Sequence, residues 1–172
     1  MQPRPDQLDW MRFDTPEALE RLGARIAGEL APGEAVCLFG ALGAGKSTLA
    51  RGLVRALLDD LEAEVPSPTF TLVQGYEAAH LSLAHFDLYR LKRPEEAFEL
   101  GLDEALDVGA AVIEWPERLE GELPPDRLEL HLVAEPPLGE PTGVDGRWAW
   151  GQGYGSWSDE RVRRVMSEVG EA

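Results

Sequence analysis

The stretch FGALGAGKSTLARGL, residues 39–53, constrains the fold more than any other part of the chain. Residues Gly40 to Ser47 fit the pattern G-x-x-x-x-G-K-[ST]. At average composition that pattern arises by chance in only about one chain in two hundred of this length, so coincidence is a poor explanation. The glycines let the backbone wrap until successive N–H groups point inward at a polyphosphate, and the helix that follows adds its positive end. Such a cradle needs a strand to deliver the chain and a helix to carry it away. AVCLFG, a continuous apolar run, reads as a strand buried on both faces. Lys46 to about Asp60 reads as the helix, with Leu49, Leu53 and Leu57 on one stripe. Gly43, Ala44 and Gly45 then line a nucleoside triphosphate site. Lys46 reaches the β- and γ-phosphates, Ser47 ligates Mg²⁺ and Thr48 bonds the α-phosphate.

The flanking sequence supplies the other layers. Residues 14–34 read as a capped amphipathic helix: Asp14 or Thr15 caps it, Pro16 opens it and Gly33 lies past its end. Leu19, Leu22, Ile26 and Leu30 should face the core. VPSPTFTLVQGYE becomes strand-like from Phe70, and HLSLAHFDLYRL alternates, with Leu83, His85 and Asp87 on one face and Ala84, Phe86 and Leu88 on the other. PEEAFELG and LDEAL read as short acidic helices, AAVIEWP as a second buried strand ended by Pro116, and DRLELHLVAE as a half-exposed strand. EPPLGEPTGVDG reads as a loop, RWAWGQGYGSW as a last edge strand and SDERVRRVMSEVG as a capped terminal helix. Strands alternating with helices around a phosphate loop predict a three-layer α/β domain, NTPase-like, with a central, mostly parallel, mixed sheet. At 172 residues the expectation is a single domain spanning residues 1–172.

Charge and cysteine content narrow the setting. The formal net charge is −16, and between Glu95 and Glu140 acids face only Arg118 and Arg127. Such a surface repels a phosphate backbone, so direct nucleic-acid binding is not expected. A single cysteine, Cys37, lies in the apolar strand and reads as a buried thiol. With no apolar run long enough for a membrane span and no apolar leader, the chain reads as cytoplasmic.

Hydrolysis at a phosphate loop needs carboxylates for metal and water. Glu114 ends the apolar strand AAVIE, and Asp87 ends LAHFD. Thr69, in PSPTF, lies where a loop stiffened by Pro66 and Pro68 could sense the γ-phosphate. His85 shares a face with Asp87 but reads as a core histidine, and His80 and His131 form no zinc constellation. The chain has no asparagine, so it lacks the Asn-Lys-x-Asp guanine reader of ordinary GTPases. The Ser-Gly-Gly signature of transporter ATPases is missing too. A small-molecule kinase stays open as the alternative, with Arg90, Arg93, Arg118 and Arg127 available to close over a phosphate. So does a nucleotide-dependent interaction module.

LFGALGAGKST, VPSPTFTLVQGYE, HFDLYRL and IEWPERL, taken together and in this order, resemble the TsaE family of bacterial ATPases of tRNA threonylcarbamoyladenosine biosynthesis. The likeness runs from about Phe13 to Glu135, leaving residues 136–172 as a tail without family motifs. It implies a small cytoplasmic Mg²⁺-dependent ATPase, slow alone, that binds the TsaB–TsaD threonylcarbamoyl transferase and supports its turnover without touching tRNA itself. It also implies ATP as the nucleotide. Lys46 and Ser47 match the family's phosphate and magnesium positions, while Asp87 and Glu114 match acids needed for metal binding or hydrolysis. Ser67, Pro68 and Thr69 match its switch-like segment, Trp115 its EWP tryptophan, and Thr15 with Pro16 the region of adenine contact. The family's acid after the first loop glycine is here Ala41, so no role of that acid carries over.

Overall fold

Parallel strands require crossovers, and the order of apolar runs and helices in this chain provides them. The computed structural model describes residues 9–140 and 145–167. Its centre is one seven-stranded sheet made of β1 (Met11–Phe13), β2 (Ala35–Phe39), β3 (Val73–Glu77), β4 (Ser82–Asp87), β5 (Ala110–Glu114), β6 (Arg127–Val133) and β7 (Arg147–Tyr154). Their order is β1-β7-β6-β2-β5-β4-β3. The middle four, β6, β2, β5 and β4, run parallel, while β3, β7 and β1 add antiparallel edges. The sheet is therefore mixed and mostly parallel at its centre, as the sequence predicts.

Helices α1 (Pro16–Glu29), α2 (Lys46–Leu58) and α5 (Asp159–Met166) cover one face. Their apolar stripes meet Val36, Leu38, Leu83, Val112, Leu128, Leu130 and Leu132 from the strands. Thr15, not Asp14, caps α1: its hydroxyl accepts from the Ala18 amide at 3.1 Å. α1 and α2 cross closely because the contact residues are Gly23 and Gly52; a Cβ on Gly52 would run into the Glu20 backbone. On the other face α3 (Glu95–Glu99), α4 (Leu102–Val108) and a 3₁₀ turn (Pro116–Leu119) enclose a smaller core with Cys37, Phe86, Leu88 and Ile113. Burial pushes the Cys37 thiol up to about 12, with the Glu129 carboxylate adding to the effect, so it stays an inert thiol.

Three expectations need correction. The strand read from Phe70 begins at Val73, because Leu72 takes a left-handed backbone (φ 71°) and its amide closes a turn on the Pro68 carbonyl. RWAWGQGY is not an edge strand: β1, unread in the charged N-terminal segment, pairs outside it through Phe13 and Arg147. DRLELHLV is an inner strand between β2 and β7; its alternation is real, but Glu129 on the second face is buried too, held by Arg127 at 2.8 Å and His131 at 3.2 Å. The terminal helix opens on Ser158 as read, and residues 168–170 assigned to it lie outside the described residues, as do 141–144 of the preceding loop.

Candidate functional site

Parallel strands end at a common edge, and in open α/β sheets that edge is where ligands sit. Here β2 ends at Phe39 and runs into the glycine loop, β5 ends at Glu114 and β4 at Asp87. Register places Leu38 and Asp87 on either side of Glu114. β7 runs the other way and contributes its start, Arg147, while β1, antiparallel to β7 and so aligned with the middle four, contributes its end, Phe13. These termini line a cleft of about 540 Å³.

The loop has the conformation that the sequence predicts. Gly40, Gly43 and Gly45 take φ of 154°, 80° and 108°, a region that side chains disfavour, and a Cβ on Gly45 would strike Leu19 Cδ1 at 2.6 Å. Gly45 caps α2 without a side chain, and the first turn holds no acid, so the helix end stays open to an anion. Lys46 is buried, with its ammonium donating to the carbonyls of Gly40 and Ala41 and lying 3.7 Å from the centre of the Trp115 ring. Burial lowers its pKa, and Glu114, Glu117 and Asp87 offset part of that effect.

Two carboxylates stand behind the loop, each with one oxygen anchored by the scaffold. Glu114 is 2% exposed; Oε2 lies 2.7 Å from His85 Nε2, and Oε1 accepts from Ser47 Oγ at 3.0 Å. Asp87 accepts the Tyr89 amide on Oδ1 at 3.0 Å and faces Thr69 Oγ1 through Oδ2 at 3.4 Å. Thr69 in turn lies 2.9 Å from Ser67 Oγ. Trp115 has φ of 60°, a strained backbone for a bulky residue, and this turn sets its ring against Lys46.

The cleft thus gathers Thr15, Gly43, Ala44, Gly45, Lys46, Ser47, Thr48, Thr69, Asp87 and Glu114, all named from sequence. Of the four arginines considered for closing over a phosphate, none lines it. Arg90 and Arg118 lie over Phe70 and Tyr89, at 5.4 and 5.9 Å from ring centres, and Arg93 pairs with Glu96. Arg127 stands at the start of β6, the far end of the sheet.

Sequence reasoning missed Arg147, along with Phe13, Asp145 and Gly146. The Arg147 guanidinium donates to the Gly43 carbonyl at 2.9 Å and to the Gly146 carbonyl at 2.7 Å, bracing the loop from outside. A usable signal was present: a hairpin reading of β6 and β7 puts the first residue of β7 beside the last of β6.

The fold and this edge define a P-loop NTPase-like protein. A solved structure similar to it, the crystal structure of YdiB from Bacillus subtilis, superposes with a TM-score of 0.68 at 27% identity, covering 91% of this chain and 89% of that one. The chain belongs to the TsaE family: the family described as threonylcarbamoyl adenosine biosynthesis protein TsaE matches residues 13–138. Relatives named tRNA threonylcarbamoyladenosine biosynthesis protein TsaE include one from Rickettsia conorii, 39% identical over 71% of this chain and 69% of its own length. Another, from Bacillus subtilis, is 37% identical over 72% of this chain and 76% of its own.

Proposed function

We propose that this chain is a Mg²⁺-dependent ATPase of tRNA threonylcarbamoyladenosine biosynthesis, slow by itself and accelerated by the TsaB–TsaD transferase whose turnover it supports in the cytoplasm. The observation that carries the reading is the Ser47–Glu114 pair: a hydroxyl from the phosphate loop and a buried carboxylate from the neighbouring strand, 3.0 Å apart. Its donors are all oxygen, as Mg²⁺ prefers. Among the described residues no cluster of three or more His, Cys, Asp or Glu could hold a metal alone. A hydroxyl and one carboxylate therefore suit a cation that arrives on phosphates and keeps some of its water.

In this reading the amides of residues 43–48 and the start of α2 bind the phosphates. Lys46 leaves the carbonyls of Gly40 and Ala41 for the β- and γ-oxygens. A bound Mg²⁺ would neutralise charge on those oxygens as the bond breaks. Glu114, beside Ser47, would hold the metal, while Asp87 orients the attacking water and accepts its proton, and Thr69, tied to Asp87, reports the γ-phosphate to the segment around Ser67. Thr15 and Pro16 face the base.

None of Arg90, Arg93 or Arg118 lines the cleft, and Arg147, which does, is bonded to the Gly43 and Gly146 carbonyls, so among the described residues lining the cleft no arginine is left unengaged for the γ end. Unassisted hydrolysis should then run on the order of 10⁻⁴ to 10⁻² per second. The test is phosphate release with and without TsaB and TsaD. Stimulation of at least tenfold is expected; rapid turnover by the chain alone, or no stimulation, rejects the proposal. If the γ-phosphate label instead ends on a metabolite, the protein is a kinase.

A further inference from the structure

His85 sits on β4 and is 1% exposed. Across the parallel pair it faces Val112, one pleat before the Asp87–Glu114 pair, so its ring meets Glu114 diagonally. Nε2 lies 2.7 Å from Glu114 Oε2. Its other nitrogen, Nδ1, is buried without a hydrogen-bond partner. An ionised carboxylate only accepts, so the ring presents its N–H at Nε2. A plain core position would be better filled by an apolar side chain, which leaves no buried nitrogen unpaired. What the imidazole adds is one bond, and that bond ends on the carboxylate behind the phosphate loop.

Glu114 has two oxygens with different work. With Oε2 held by His85, Oε1 is left beside Ser47 Oγ. Without that anchor the carboxylate can rotate about its last bond or turn toward the Lys46 ammonium, whose charge acts on it. Partners outside the metal's own contacts commonly fix a ligand's orientation in this way, and their loss typically costs about 10–100-fold in metal affinity. We propose that His85 is a positioning residue: it pins Glu114 so that Oε1 and Ser47 Oγ form a preset pair for a divalent cation on the nucleotide. This rests on the reading of the cleft as a Mg²⁺–nucleotide site.

The test uses the full chain and a fluorescent, hydrolysis-resistant ATP analogue titrated with MgCl₂. His85→Gln carries an amide N–H at about the reach of Nε2. His85→Asn carries the same amide one methylene shorter, and His85→Leu has none. For His85→Asn and His85→Leu the Mg²⁺ midpoint should rise at least tenfold, with affinity in EDTA within twofold of wild type. His85→Gln should stay within threefold. His85→Asn titrating like wild type, or His85→Gln failing as badly as His85→Asn while folded by circular dichroism, overturns the inference. Should the Asn and Leu variants not fold, the Gln variant decides: a midpoint shift beyond threefold overturns it. A wild-type protein whose nucleotide affinity ignores Mg²⁺ overturns the site reading as well; a responsive wild type with an unmoved His85→Asn overturns this inference alone.

Discussion

Lys46 and Glu114 are both buried charges, yet their contacts differ in kind. Lys46 is held by backbone carbonyls of its own loop and by the Trp115 ring, contacts it can exchange for phosphate oxygens. Glu114 is fixed between two strands and the helix start, where it faces the chemistry more than the ligand's bulk. Lys46→Ala should therefore weaken ATP binding by about tenfold or more and slow hydrolysis as well. Glu114→Ala should slow hydrolysis by about 10²–10³-fold and raise the Mg²⁺ midpoint, while leaving ATP affinity at saturating Mg²⁺ within a few-fold, since the phosphates keep the amide cradle and Lys46. Calorimetry for binding and phosphate release for turnover separate the two.

At the scale of elements, the position of α2, and with it the loop, depends on how α1 sits against it. The crossing at Gly23 and Gly52 leaves no room for a methyl group. Gly52→Ala should cost about 1–3 kcal/mol by overpacking, read as a lower denaturant midpoint with an unchanged slope. Helix α5 is tied down differently. Arg161 bonds Glu34 at 2.6 Å, and Ser156 donates to the same carboxylate at 2.6 Å. Burial raises the Glu34 pKa, but bonds from Arg161, Ser156 and the Ala31 amide outweigh it, so the carboxyl sits below its ordinary 4.5. The folded state thus favours the ionised form. The stabilisation is complete above about 4.5 and is lost as pH falls through the lowered value, so stability rises with pH across that window. Glu34→Gln should flatten this acid limb in melting curves taken between about pH 2 and 6.

The whole molecule carries a net charge of −16, and among the described residues no helix is long and apolar enough to cross a membrane. In the proposed role the transferase handles the RNA, so a strongly acidic ATPase is compatible with a tRNA pathway. The chain alone should show no salt-sensitive binding to tRNA in a filter assay at low ionic strength. Tight binding that weakens steeply with added salt would contradict this, because that slope reports phosphate contacts.

The sequence alone determined the features that rest on local physics. The glycines at 40, 43 and 45 permit one kind of loop, the cap at Thr15 starts a helix, and the apolar runs before Gly40 and before Glu114 demand buried parallel strands. Those features were enough to name the loop, both carboxylates and Thr69. Tertiary structure decided what depends on strand order and register. It sealed the sheet with a three-residue strand too short to show a period, placed Arg147 against Gly43 across 104 positions of sequence, and turned His85 from a core residue into a partner of Glu114. It also carried Arg127 to the wrong end of the sheet for any phosphate. Alternation says which face a side chain takes; only pairing across the sheet says which edge it reaches and what it meets there.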